Sequence, residues 1–190
     1  MAEKVCPVWV GYFLASPIRK LYQNPFDILR PYLKEGMKVI DIGSAMGFFS
    51  IPAAKMVGSS GKVICIDLQE KMLEKLKTRA QKARVFDRIE LHHCSESSLE
   101  IDSLKNEIDL ALAFAVLHEM PDLNVVFKEV NSALKEKAKL LIAEPQGHVT
   151  DHSFQSTLDI ALSNGFKLKD QPKINGSKSA VLEKTLRAWL

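Results

Sequence analysis

One feature governs what this chain can fold into: short β-branched runs alternate with segments of helical periodicity. Lys38–Ile42 is the first run, followed by a turn at Gly43 to Gly47 and a helix over Phe48–Val57. Lys62–Asp67 leads into an amphipathic helix over 70–84, where Met72, Leu73, Leu76, Ala80 and Ala83 share one face. Ile89–His93 is a third strand, trailed by a Ser-rich loop. Ile108–Phe114 precedes a helix over Leu123–Leu134, with Val126, Val130 and Leu134 in register. Lys139–Ala143 precedes a helix over Phe154–Asn164, with Phe154, Leu158, Ala161 and Leu162 inward and Gly165 as its stop. Two late strands, near Phe166–Leu168 and Ala180–Glu183, finish the chain. Such alternation calls for βαβ units. The expected class is α/β: a doubly wound, seven-stranded, mostly parallel sheet with helices on both faces, the last two strands forming an antiparallel excursion.

Residues 1–23 break this pattern, being irregular and aromatic, with Trp9, Tyr12, Phe13 and Tyr22. Asn24 reads as an N-cap, with Pro25 at the first helical position and Asp27 as the acidic partner of a capping box. That helix is expected to reach Leu33 and stop before Gly36. The organisation is therefore a helical, aromatic segment over 1–35, placed either as a lid or in a homodimer contact, ahead of one domain over 36–190. A chain of 190 residues suits that count. Its three cysteines form no CxxC pair, so neither a disulfide framework nor a metal site is expected. The apolar stretch Val8–Ala15 falls short of the roughly 20 residues of a spanning helix. A cytoplasmic protein with no membrane partner is the expectation. The net charge of +3 is too small to argue for nucleic acid.

In a sheet of this kind ligands bind beyond the carboxyl ends of the strands. That rule gathers Gly43–Gly47, Asp67, Ser95, Phe114–Glu119 and Glu144–His148 around one cleft. The loop is not a P-loop, because no GxxxxGK[ST] is present, and it is not a GxGxxG. Asp67 ends the second strand twenty residues past Gly47, where a carboxylate could accept both hydroxyls of an adenosine ribose. Together these features point to a nucleoside-containing cofactor. The plainer alternative is a tight turn with a helix-capping Asp.

Val39-Ile-Asp-Ile-Gly-Ser-Ala-Met-Gly47 resembles the D-x-G-x-G-x-G loop of class I S-adenosylmethionine-dependent methyltransferases, with Ala45 in place of the middle glycine. Val63–Asp67 resembles the strand that ends in the family's ribose-binding acid. Asp109–Asp122, with its V-L-H, and Leu140–Pro145 resemble the fourth and fifth strands of the ubiquinone/menaquinone-type branch. The resemblance covers residues 38–184 and implies a Rossmann-like methyltransferase fold with S-adenosylmethionine as cofactor. It further implies that Asp67 binds ribose and that Gly43, Ser44, Ala45 and Gly47 hold the methionine end, with Asp41 nearby. Leu68, Ser95 and Glu96 would flank the adenosine, Ser95 standing where the family carries an acid. Phe114 would line the cofactor cleft.

Methyl transfer from a sulfonium chiefly needs a positioned acceptor. A base is needed only where the acceptor loses a proton. His118 and His148 are the candidate bases, each weighed against a structural role; Glu144 is expected to cap or pair locally. Cys65 reads as core and Cys94 as cleft rim, so metalloid chemistry on thiolates is not favoured. No NPPY or DPPY motif occurs, and the excess of lysines after Phe166 reads as a guarded sheet edge, so nucleic acid is not the expected partner. The expected function is methyl transfer to a small-molecule acceptor. The alternatives are a non-catalytic cofactor-binding subunit that needs a partner, and an NAD-dependent oxidoreductase, which lacks its usual Tyr-x-x-x-Lys here.

Overall fold

The computed structural model describes residues 22–185. Trp9, Tyr12, Phe13 and Cys6 lie outside the described residues, and so does the lid or dimer role read for that segment. The chain divides after Cys94 into two compact units.

The first unit opens with helix α1, Pro25–Leu29, capped by Asn24, whose side chain accepts from the Phe26 N–H at 3.2 Å. Asp27 meets the cap through the Asn24 amide at 2.7 Å rather than through the backbone N–H of a capping box. The helix ends four residues short of Leu33. Pro31 has no N–H to continue the ladder, and the Tyr32 and Leu33 N–H groups both turn back to the Leu29 carbonyl. Strand β1, Lys38–Ile42, and strand β2, Lys62–Asp67, pair in parallel, as does β2 with β3, Ile89–His93, in the order β3-β2-β1. Val39, Ile40 and Ile42 of β1 and Val63 to Ile66 of β2 are buried, the continuous apolar run that a strand covered on both faces requires. Helix α2, Ser50–Met56, starts two residues later than expected because the turn runs on through Phe49. Helix α3, Glu70–Lys82, buries Met72, Leu73, Leu76 and Ala80; Ala83 is the cap residue and only half-buried. Each such large side chain contributes roughly 1.5–3 kcal/mol on burial.

The second unit holds β4, Ile108–Phe114, parallel to β5, Leu134–Pro145. Between them runs helix α4, Leu123–Ala133, capped by the Asp122 side chain on the Asn124 N–H. Leu134, expected in the helix, has ψ 139 and opens the strand instead. Helix α5, Asp151–Ser163, starts three residues before Phe154 because Thr150 caps it through the Ser153 N–H at 3.1 Å. Phe154, Leu158 and Ala161 face inward, but Leu162 is 42% exposed. The chain ends with β6, Phe166–Asp170, and β7, Ser177–Lys184. Strand β7 runs antiparallel to both β5 and β6, in the order β4-β5-β7-β6. The antiparallel excursion is thus as expected. Seven strands alternating with helices, with three of the five strand pairs described here parallel, make the class α/β. Among the described residues no helix is long and apolar enough to cross a membrane.

Candidate functional site

In the first unit the glycine loop follows β1. Gly43, Ala45 and Gly47 all have positive φ, at 67°, 45° and 80°. The loop is tied by the Ser44 N–H to the Ile66 carbonyl at 2.9 Å and by the Gly47 N–H to the Ser44 carbonyl at 2.9 Å. A Cβ on Gly47 would stand 3.0 Å from Leu76 Cγ and 3.3 Å from Ile51 Cγ1. Here the missing side chain lets α2 and α3 close on the turn. Ala45 occupies a left-handed conformation that costs an L-residue roughly 1–2 kcal/mol.

What holds Ala45 there is Asp67. Its Oδ2 accepts from the Ala45 N–H at 2.8 Å, and its Oδ1 from the Gln69 N–H at 2.8 Å. The carboxylate therefore fixes the loop and the start of α3 at once. Burial pushes its pKa up, and the two N–H groups and the neighbouring His93 oppose that. His93 ends β3, and its Nε2 donates to the Leu68 carbonyl at 2.9 Å. This histidine is absent from the candidates read from sequence, although its place at a strand's carboxyl end is a readable signal. Asp41, inside β1, is buried and accepts from Ser50 Oγ at 2.5 Å. Its pKa is pushed up to about 7, chiefly by burial; the Ser50 hydroxyl opposes this and the Asp67 charge adds to it. Ser44 is 5% exposed and its hydroxyl has no hydrogen-bond partner among the described residues. Cys65 is core as expected, with burial raising its thiol pKa. Cys94 is buried rather than at a rim.

In the second unit Ser95 and Glu96 open the loop after Cys94. The Ser95 hydroxyl donates to the Ser98 carbonyl at 3.3 Å, and Glu96 is exposed. Phe114 ends β4 with 9% exposure. Beyond it Ala115 takes φ 56, and Leu117–Glu119 form a single 3-10 turn. Glu144, near the end of β5, is 1% exposed. Its Oε1 accepts from the Val116 and Leu117 N–H groups, both at 3.1 Å, and its Oε2 from the His118 N–H at 3.3 Å. Oε2 also accepts from His118 Nδ1. The capping role read for Glu144 is present, and its bond to the imidazole has no counterpart in the local sequence pattern. His148 lies in the turn after β5, its ring centroid 6.2 Å from that of His118 and its plane at 86°. The first unit thus brings together Asp41, Gly43, Ser44, Ala45, Gly47, Asp67 and Leu68; the second brings together His118, His148 and Glu144.

A family model described as a methyltransferase domain matches residues 33–182. Among individual proteins, the chain is 31% identical over 112 residues to a demethylmenaquinone methyltransferase of Staphylococcus aureus, covering 59% of this chain and 44% of that protein. It is 31% identical over 130 residues to a ribosomal protein L11 methyltransferase of Dictyoglomus thermophilum, covering 68% of this chain and 40% of that one. The chain thus spans less than half the length of these relatives. A crystal structure of a SAM-dependent methyltransferase from Aquifex aeolicus superposes with TM-score 0.84 at 23% identity, covering 96% of this chain and all of that one. That likeness carries the fold: the doubly wound sheet expected from the sequence.

Proposed function

The chain belongs to the methyltransferase domain family, and on that premise we propose that it transfers a methyl group from S-adenosylmethionine to a small-molecule acceptor. S-adenosylmethionine supplies a methyl already activated by its sulfonium. The observation that carries the reading is the loop of the first unit. Two buried carboxylates, Asp41 and Asp67, stand with a buried Ser44 hydroxyl that no group among the described residues satisfies. Buried acids and an orphan hydroxyl suit a ligand that brings a cation and hydrogen-bonding groups of its own. Asp67 still has lone pairs for two ribose hydroxyls, since a carboxylate offers about four acceptor sites and the backbone takes two. Gly43, Ser44, Ala45 and Gly47 hold the methionine end, with Asp41 beneath them. Leu68, next to Asp67 in the first unit, flanks the adenosine.

His118 and His148 serve the acceptor. The catalytic domain spans residues 36–190. The protein works in the cytoplasm, without nucleic acid or membrane as partner. The small-molecule acceptor is supported by the V-L-H stretch and the fifth strand, which resemble the quinone-type branch.

Calorimetric titration with S-adenosylmethionine, S-adenosylhomocysteine and NAD tests the cofactor. We expect micromolar binding of the first two, lost in Asp67→Ala. Binding of NAD alone overturns the methyltransferase reading. Binding of S-adenosylmethionine with no turnover of any acceptor moves the protein to a cofactor-binding subunit.

A further inference from the structure

Glu144 does more than close a turn. A buried carboxylate that accepts three backbone N–H groups has both its oxygens held in place by them, because each N–H points at a lone pair. Its fourth bond is to His118 Nδ1. A carboxylate accepts, so the shared proton is carried on Nδ1. The remaining nitrogen, Nε2, is then the one that takes up a proton. The ring is held by one atom of a strand end and by a turn that the same carboxylate closes, so its orientation is fixed along with its tautomer. Around it stand Glu144 from β5, Glu119 from its own turn, with Oε1 3.9 Å from Nε2, and His148 from the turn after β5. Two acids and one edge-on imidazole make a setting that accommodates an imidazolium once it forms.

We propose that Glu144 is a positioning residue that sets His118 as a proton acceptor at Nε2, and that the methyl acceptor is therefore a hydroxyl or thiol. This rests on the function proposed above. The acceptor's O–H or S–H bond gives its proton to Nε2, and the new bond to methyl forms from the acceptor's electron pair. The electrons of the old S–CH3 bond stay on the sulfur, leaving a neutral thioether. The imidazolium is held against Glu144 and gives its proton to water after the transfer. Neutral nitrogen that must lose a proton only after transfer has no need of a base set in advance.

The test has two parts. Nitrogen-15 NMR of the labelled full chain reads the His118 tautomer directly, without substrate. We expect a protonated Nδ1 and a bare Nε2 at pH 8. In Glu144→Gln we expect loss of that preference and a fall of the His118 pKa by one unit or more, as removal of an adjacent charge dictates. Because that variant removes a buried acceptor, Glu144→Asp serves as a second, keeping the charge while shortening the reach. An Nε2–H tautomer in the wild type, or an unmoved pKa in both variants, overturns the positioning role. The second part incubates the protein with methyl-tritiated S-adenosylmethionine and a small-molecule cell extract. Labelled methyl ethers, esters or thioethers, with kcat falling at least 100-fold and KM little changed in His118→Gln, support the acceptor class. Label on nitrogen or carbon, or no labelled product, overturns it. If calorimetry shows no S-adenosylmethionine binding, the underlying function fails, while the NMR result stands or falls separately.

Discussion

At the scale of single residues, the glycine loop is where local rules are broken. Ala45 sits at φ 45, where a glycine would sit at ease, and the Asp67 bond holds it there. Ala45→Gly relieves that strain but loosens the unfolded chain, terms of about 1–2 and about 0.4–1 kcal/mol. The expected net is a gain of roughly 0.5–1 kcal/mol in urea unfolding. Asp41 makes the opposite kind of exception. Its pKa rises from 3.8 to about 7 on folding, mainly through burial. Between those values the folded state holds a proton that the unfolded state has lost, so stability falls as pH rises from about 4 to about 7. The penalty above that window is of order 4 kcal/mol. Asp41→Asn, neutral at every pH, should flatten the urea midpoint between pH 5 and pH 7.5, where the wild type slopes downward. A cationic ligand seated by the loop favours the ionised carboxylate. Its binding at pH 6.5 should therefore release a proton, read as a calorimetric heat that varies with the ionisation enthalpy of the buffer.

At the scale of elements, the strands were legible where both faces are buried. Lys38–Ile42, Lys62–Asp67 and Ile108–Phe114 fall at the boundaries read from sequence, because uninterrupted β-branched and aliphatic runs leave little choice of end. Strand β5 was read as Lys139–Ala143 and runs from Leu134 to Pro145. Its first part is Lys135-Glu-Lys-Ala138, which carries no strand signal. It belongs to β5 because Leu134 pairs with Ile108 and the excursion, with Lys137 at φ 60, returns to pair Lys139 with Leu110. Cross-strand pairing settles it, and pairing is not local. Leu162 was misplaced for a similar reason: helical periodicity marks a stripe but not its edges. The bond from Glu144 to His118 spans 26 positions and is invisible to any window. Gly47 shows the reverse, a residue whose need for an unusual backbone angle is readable from its place in the loop while the helices packed on it are not. Gly47→Ala brings a Cβ within 3.0 Å of Leu76 Cγ at a left-handed φ. It should cost about 2 kcal/mol or more in unfolding experiments and weaken S-adenosylmethionine binding at least tenfold, since the loop must shift. In α4, Phe127 is fully buried with its ring edge-on to Phe166 at 6.0 Å. Phe127→Ala should cost about 3–5 kcal/mol without altering the loop of the first unit.

At the scale of the whole molecule, the question is what the basic end of the chain meets. From Phe166 onward the chain carries Lys167, Lys169, Lys173, Lys178 and Lys184 against few acids. Such an excess could be read as a surface for nucleic acid. The placement of the side chains argues otherwise. Lys167 and Lys169 both pair with Glu183, at 2.9 and 3.8 Å, across the β6–β7 edge. Lys178 pairs with Asp151, and Lys184 donates to the Asn106 side chain at 2.9 Å and to the Leu134 carbonyl at 2.7 Å. Four of these five cations are spent inside the second unit, two of them guarding an edge strand against pairing with another chain. A phosphate backbone needs cations that can trade their counterions for phosphates, and each such contact steepens the salt dependence of binding. A 20-nucleotide RNA should therefore show no binding below about 100 µM at 150 mM salt by fluorescence anisotropy, weaker than ordinary non-specific binders. Replacing Glu183 and Asp151 together by Gln and Asn releases the lysines while leaving the His118 and Asp67 clusters untouched. That variant should gain salt-sensitive RNA binding with S-adenosylmethionine affinity unchanged. Micromolar binding by the wild type would instead make this end of the chain an acceptor surface, and the acceptor itself a macromolecule.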